Sequence, residues 1–366
     1  MSTGPEIKQS ALTFAYKTRD RPIFLDLYPP SLERAGDNAP RTVPAVVFFH
    51  GGGLAVGDRT SWFPSWLKDR VTASGMAFIS ADYRLLPPST GHDIVGDIQD
   101  LFSFLEKDIN TLLIGPKEGA GLGRHVFLID PTALAVAGAS GGGLVAYLAA
   151  MHASPKPRAL LALYAMGGNF LIPHYFSPKS GVFLRGREVL DPNDFTEFLH
   201  PQSASLEPIS ASSLAYHGPD YAIPGYPANP RMLLPRLYLQ LGVWLDYYTS
   251  SHIPSLSAAL REAAARNDDL DAYIPEEHRR LWPQLNVDSC WPPAFLVHGS
   301  ADSAVPVEES RHMTELLKQA GVPVTLCELE EQEHSLDKAP NADALYGGPG
   351  GLFDEIRDFL VETLSS

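Results

Sequence analysis

Residues 132–151 read Thr-Ala-Leu-Ala-Val-Ala-Gly-Ala-Ser-Gly-Gly-Gly-Leu-Val-Ala-Tyr-Leu-Ala-Ala-Met. The apolar run 132–137 is what a strand buried on both faces needs. Gly138 ends it at once, and 144–151 reads as a helix of small apolar residues. Strand, glycine-rich turn and helix therefore follow with no linker. Within the turn, Gly138-Ala139-Ser140-Gly141-Gly142 fits the pattern Gly-x-Ser-x-Gly. That pattern places a serine in a strained elbow whose flanking residues pass too close for side chains. Ser140 is the candidate nucleophile.

Working outward, the same rhythm recurs. Residues 11–16 and 22–28 read as two short strands around the polar turn 17–20. Buried strands are expected at 44–49, 76–81, 159–164, 293–297 and 323–329, and helices at 62–74, 93–107, 307–319 and 353–364. Helix 93–107 is amphipathic, with Ile94, Ile98, Leu101, Phe102 and Leu105 on one face. Alternating buried strands and helices specify an α/β fold: a mostly parallel sheet with helices on both faces and an antiparallel edge. In such sheets chemistry sits beyond the carboxyl ends of the strands.

The stretch 166–291 breaks the rhythm. It is rich in proline and aromatic residues, with helical patches at 231–248 and 255–266. The expected organisation is a core of 1–165 and 292–366, with 166–291 as a cap or lid inserted between the sixth and seventh strands. Most of its aromatic residues, among them Phe170, Tyr175, Tyr238, Trp244 and Tyr248, should pack the cap; a few should line an apolar pocket beneath it. The apolar stretch 233–245 reads as cap core.

Composition narrows the class. The 366 residues carry 28 basic and 43 acidic side chains, a net charge of −15. No Lys/Arg run offsets that field, so nucleic acid and stable membrane insertion are not expected. Hydrophobic residues are 45 % and charged ones 19 %, which excludes a disordered chain. Cys290 and Cys327 make no disulfide framework. Residues 1–10 have no signal-peptide core and no apolar run reaches the ~18 residues of a span, so the expectation is a cytoplasmic protein. No motif encodes an oligomeric state.

Three further stretches supply chemistry. His50-Gly51-Gly52-Gly53 follows strand 44–49, where glycines let backbone N–H groups approach an oxyanion. The second donor is expected at Gly141, the residue after the nucleophile. Past Ser140 the expected order is acid, then base. His298-Gly299-Ser300-Ala301-Asp302 ends strand 293–297 and offers Asp302. Of the two histidines beyond it, His312 falls within a helix and His334 on a loop just after strand 323–329, so His334 is the candidate base. Asp337 and Glu333 are the fallback acids, and His298 reads as structural. Glu330, Glu331 and Glu333 read as a mostly solvated acidic run beside the base.

Together with Asp82-Tyr83-Arg84-Leu85 and the helix carrying Asp93 and Asp97, these motifs resemble the hormone-sensitive-lipase-like branch of the α/β-hydrolase superfamily. The resemblance runs from about residue 12 to the C-terminus, outside the insertion. It implies an ester hydrolase working through an acyl-enzyme on Ser140, His334 and Asp302, with no metal or cofactor. It also implies Gly52, Gly53 and Gly141 as oxyanion donors and His50 as structural. The chain departs from the branch at Ala139 and Gly141, where it usually has Asp and Ala. The acid loop is closer to the general hydrolase pattern, and the cap lies in the centre of the chain rather than at its N-terminus. The expected substrate is a small to medium apolar carboxylic ester. The alternatives are an acyltransferase, cyclase or release hydrolase of specialised metabolism, and a non-catalytic ligand-binding protein. The presence of His334 alongside Ser140 and Asp302 argues against the last.

Overall fold

A computed structural model describes residues 11–18, 21–32, 40–114 and 127–365. The leader reading of 1–10, the end of the turn at 19–20 and most of the loop before residue 41 lie outside the described residues. Eight strands form one sheet: β1 (Leu12–Lys17), β2 (Ile23–Tyr28), β3 (Arg41–Phe49), β4 (Ala77–Ala81), β5 (Phe127–Ala139), β6 (Ala159–Leu163), β7 (Ala294–Gly299) and β8 (Val324–Leu329). Their spatial order is β1-β2-β4-β3-β5-β6-β7-β8. The β1–β2 and β2–β4 pairs are antiparallel; every other pair is parallel.

The sheet is covered on both faces, as its apolar strands require. Along β3, Val43, Ala45, Val47 and Phe49 join one buried cluster, while Val46 and Phe48 join the other. The first face is packed by α2 (Gly91–Lys107), α3 (Ile109–Ile114) and α4 (Gly141–His152). The second is packed by α1 (Ser65–Ala73) and by the C-terminal helix, where Trp66 stacks on Phe353 at 3.9 Å. α4 is buried on every side from Gly141 to Ala150, so it can be apolar all round.

β5 runs well beyond the expected 132–137. Its first residues, Phe127–Ile129, pair with Arg41–Val43 ahead of a register irregularity between Val43 and Ala45. Pro44 lies at that irregularity and has no N–H to give the ladder. The polar Asp130 and the Pro131 beside it hide the early part of the strand from a pattern reading.

Between β6 and β7 the chain forms short helices: α5 (Pro173–Phe176), α6 (Leu234–Leu241), α7 (Trp244–Thr249), α8 (Leu256–Ala265) and α9 (Glu276–Arg279). The patch 231–248 is not one helix. Gly242 takes φ +64° and a Cβ there would sit 2.6 Å from Pro178 N, so α6 stops and α7 restarts after it. Phe170, Tyr175, Trp244, Tyr248 and Trp282 form a packed aromatic group. Arg231 fastens this segment to the core by donating to the carbonyls of Ala55, Leu86 and Pro87.

The chain closes with α10 (Glu308–Gln319), α11 (Ala342–Tyr346) and α12 (Leu352–Ser365). Glu309 of α10 is fully buried and accepts from Gly167 N at 2.7 Å, Gly168 N at 3.2 Å and Tyr175 Oη at 2.5 Å. It ties α10 to the start of the long segment. Burial pushes its carboxyl up to about 8, against those donors, from an ordinary 4.5. The folded chain therefore holds a proton between those pH values that the unfolded chain releases. This contribution is complete below about pH 4.5 and is lost as pH rises through about 8. The difference in Tm between wild type and Glu309→Gln should shrink steadily from pH 5 to pH 9. Parallel Tm curves would show that Glu309 titrates normally.

Candidate active site

The elbow at the end of β5 is as tight as its glycines suggest. Ser140 has φ +55° and ψ −123°, outside the regions an L-residue prefers, a strain on the order of 1–3 kcal/mol. A Cβ on Gly138 would lie 2.0 Å from Gly142 O, and one on Gly142 would lie 2.1 Å from Phe49 O. Backbone bonds hold the turn: Ser140 N donates to Leu163 O at 2.9 Å, and Met166 N donates to Ser140 O at 3.1 Å.

Ser140, His334 and Asp302 are brought together in line. His334 Nε2 lies 2.9 Å from Ser140 Oγ, and His334 Nδ1 lies 2.7 Å from Asp302 Oδ2. Asp302 Oδ1 accepts from Ala304 N and Val305 N, each at 2.9 Å. The loops after β7 and β8 are joined directly. Ala301 N donates to Gln332 O, and Glu333 accepts from Ser303 N at 2.7 Å and from His334 N at 3.0 Å. Glu333 also pairs with Arg185. It is a strut between the two loops and not part of a free acidic run. Asp337, the other fallback acid, is committed elsewhere: it accepts from Tyr164 Oη at 2.6 Å and Trp66 Nε1 at 2.9 Å. Tyr164 in turn meets the His334 ring edge-on at 4.8 Å.

His298 has a role that spacing alone hides. It is fully buried, with Nε2 3.2 Å from Asp302 Oδ2 and 2.9 Å from Val305 O, and with Nδ1 2.7 Å from Ser310 Oγ. One carboxylate oxygen thus faces two imidazoles. Burial alone would raise the Asp302 carboxyl; the contacts with His298 and His334 hold it well below the usual range. The signal available in the sequence was the i, i+4 spacing of His298 and Asp302 across a strand end.

The glycine loop after β3 lies against the elbow. Gly52 and Gly53 have φ +101° and +55°, and a Cβ on Gly141 would sit 2.8 Å from Gly53 N. That approach explains why this chain has glycine after the serine. His50 is fully buried, bonds Gly51 O through Nδ1 at 2.7 Å and stacks on Tyr83 at 4.5 Å. Burial lowers it to about 4, so it stays neutral. Tyr83 Oη donates to His50 O at 2.8 Å. Arg84 pairs with Asp93 and Asp97 and so anchors α2.

Over Ser140 lies a cavity of about 310 Å³ lined by Gly51, Gly52, Gly53 and His334 from the core. Leu184, Tyr216, Tyr226, Met232, Leu239 and Trp244 of the long segment also line it. Most of the aromatic residues of 166–291 are packing residues; Tyr216, Tyr226 and Trp244 are the tyrosines and tryptophan of that stretch that reach the cavity. Cys290 and Cys327 are both free thiols. No helix among the described residues is long and apolar enough to cross a membrane.

Two family descriptions match the sequence: the alpha/beta hydrolase fold over residues 46–190, and the prolyl oligopeptidase family over 243–346. The "Probable carboxylesterase M8" of a Phoma species is 32 % identical over 152 residues, covering 41 % of this chain and 45 % of that protein. The non-reducing polyketide synthase pkbA of Emericella nidulans is 27 % identical over 369 residues, covering 96 % of this chain but 14 % of the synthase. The chain thus spans less than half the length of these relatives. Among solved structures, an esterase from Thermogutta terrifontis superimposes with a TM-score of 0.55 at 19 % identity, covering 98 % of this chain and 94 % of the other. An alpha/beta hydrolase superfamily protein from Enterococcus faecalis gives 0.59 at 17 % identity, covering 97 % and 99 %. The sheet order, the elbow and these likenesses agree on the alpha/beta hydrolase fold, whose family model residues 46–190 match.

Proposed function

We propose that this chain hydrolyses carboxylic esters through an acyl-enzyme on Ser140. The observation that carries this reading is the hydrogen-bonded line from Ser140 through His334 to Asp302. Ser140 Oγ attacks the ester carbonyl while His334 Nε2 takes its proton. Asp302 holds His334 in the tautomer with a proton on Nδ1 and stabilises the imidazolium that forms. The backbone N–H groups of Gly52, Gly53 and Gly141 receive the oxyanion, each donor worth roughly 3–4 kcal/mol of barrier. His334 then returns the proton to the departing alcohol. Water, deprotonated by the same imidazole, releases the acid. Residues 166–291 act as the cap that roofs the nucleophile.

The test is turnover of 4-nitrophenyl esters from acetate to decanoate together with fluorophosphonate labelling. Labelling on Ser140 and turnover of at least one ester are expected. An unlabelled Ser140 in folded protein would sink the serine-hydrolase reading.

A second reading is favoured by the near full-length likeness to part of a non-reducing polyketide synthase. Here the acyl group is a polyketide, and it leaves Ser140 to water, to an external alcohol or amine, or to its own hydroxyl. Mass analysis of products from a hydroxyacyl thioester separates acid from lactone or transfer product.

A further inference from the structure

Two of the residues that line the cavity over Ser140 carry a buried N–H donor that meets no acceptor in hydrogen-bond geometry among the described residues: Arg236 at Nη1 and Trp244 at Nε1. Arg236 is 6 % exposed and Trp244 is 0 % exposed. A buried donor left unpaired is costly, and more so when it is charged. Such a group needs a partner from outside the protein, such as water, an ion or a ligand.

The guanidinium is half used. Arg236 Nη2 donates to Glu188 Oε1 at 2.9 Å, and this bond pulls the Glu188 carboxyl down to about 2. Tyr226 Oη donates to the same oxygen at 3.1 Å. Glu188 is half exposed, so it neutralises a nearly buried cation from the solvent side only. Arg185 and Arg187 line the same cavity, and Glu188 is the one carboxylate in the lining. Arg185 pairs with Glu333 beyond the lining, which leaves Arg187 and Arg236 against Glu188, a local excess of positive charge in a chain of net charge −15. The rest of the wall is largely apolar, with Val56, Trp62, Met232, Leu233 and Leu239.

We propose that the ester taken by this site has an apolar body and a carboxylate, and that the carboxylate binds Arg236 through its unused Nη1. Arg236 is then a specificity-determining residue. A carboxylate on a guanidinium forms charge-assisted bonds roughly twice as strong as neutral ones, which a plain alkyl chain cannot supply. This rests on the ester-hydrolase reading and changes its substrate from the apolar ester expected of the sequence to an amphiphilic acid.

The test uses two matched pairs. Mono-4-nitrophenyl glutarate is compared with methyl 4-nitrophenyl glutarate, and 4-carboxyphenyl butyrate with its methyl ester. In at least one pair the anion should be preferred about tenfold in kcat/KM, the worth of one net charged hydrogen bond. Salt should weaken that preference. Arg236→Gln should abolish the ratio and Arg236→Lys should keep part of it. If Arg236→Gln does not fold, the wild-type ratio, its salt dependence and the lysine variant decide. Neutral esters equal to or better than the anions in both pairs would overturn the proposal. Should neither pair turn over and Ser140 fail to label, the hydrolase reading falls, and binding decides this one. Benzoate should raise wild-type Tm more than benzamide does; an equal effect of the two would overturn it.

Discussion

Ser140→Ala is expected to lower kcat on any ester the wild type accepts by about a million-fold, to a residue of activity still above water. The argument is geometric. His334 Nε2 has Ser140 Oγ as its partner at 2.9 Å, so removal of the hydroxyl leaves a base with nothing to deprotonate but water. His334→Ala should cost about as much, and the double variant little more than either alone, because the groups act as one unit. The measurement is kcat on a 4-nitrophenyl ester for the two single variants and the double. Losses that multiply would mean the two side chains act independently, against the proposed mechanism. Stability should hardly move in Ser140→Ala, since the elbow is held by backbone bonds of Ser140 N and O and not by its hydroxyl.

Asp302→Asn is expected to lower kcat roughly ten-thousand-fold with the fold intact. The carboxylate now accepts at Oδ2 from His334, at 2.7 Å, and faces His298 at 3.2 Å. Its other oxygen already accepts from Ala304 N and Val305 N, so the asparagine carbonyl takes that place and its amide faces the imidazoles. An N–H donor opposite His334 Nδ1 selects the tautomer with the proton on Nε2, which cannot take the proton of Ser140. The expected signature is a loss in kcat with KM little changed. A drop below a hundred-fold would mean that Asp302 does not set the tautomer. The wild-type carboxylate should stay ionised throughout the folded pH range, because its histidine partners hold it well below the usual value despite burial.

Much of the site was legible because each piece is local. A buried strand followed by Gly-Ala-Ser-Gly-Gly can close its turn only without side chains at 138 and 142, and a Cβ on either would collide with backbone at about 2 Å. The order of Ser140, Asp302 and His334, each just past a strand, placed all three at one edge of a parallel sheet. The eight-stranded architecture followed from the same alternation, and the segment between β6 and β7 from its interruption. Errors fell where local pattern is ambiguous. β5 was read short because Asp130 and Pro131 break its apolar run, and the helical patch 231–248 hid the left-handed turn at Gly242 that divides it. Glu333 was read as solvated, yet it is bonded to two backbone N–H groups of neighbouring loops.

The sequence by itself determined the α/β sheet, the serine elbow, the glycine loop and the strand ends that carry Asp302 and His334, since strand burial and turn sterics are properties of a few consecutive residues. Only the tertiary structure decided what surrounds them. The second imidazole on Asp302, the buried Glu309 that fastens the long segment, and the unmatched donors of Arg236 and Trp244 depend on residues far apart in the chain meeting in a dry interior. Charge and hydrogen bonding there are fixed by which groups are excluded from water together, and no local pattern records that.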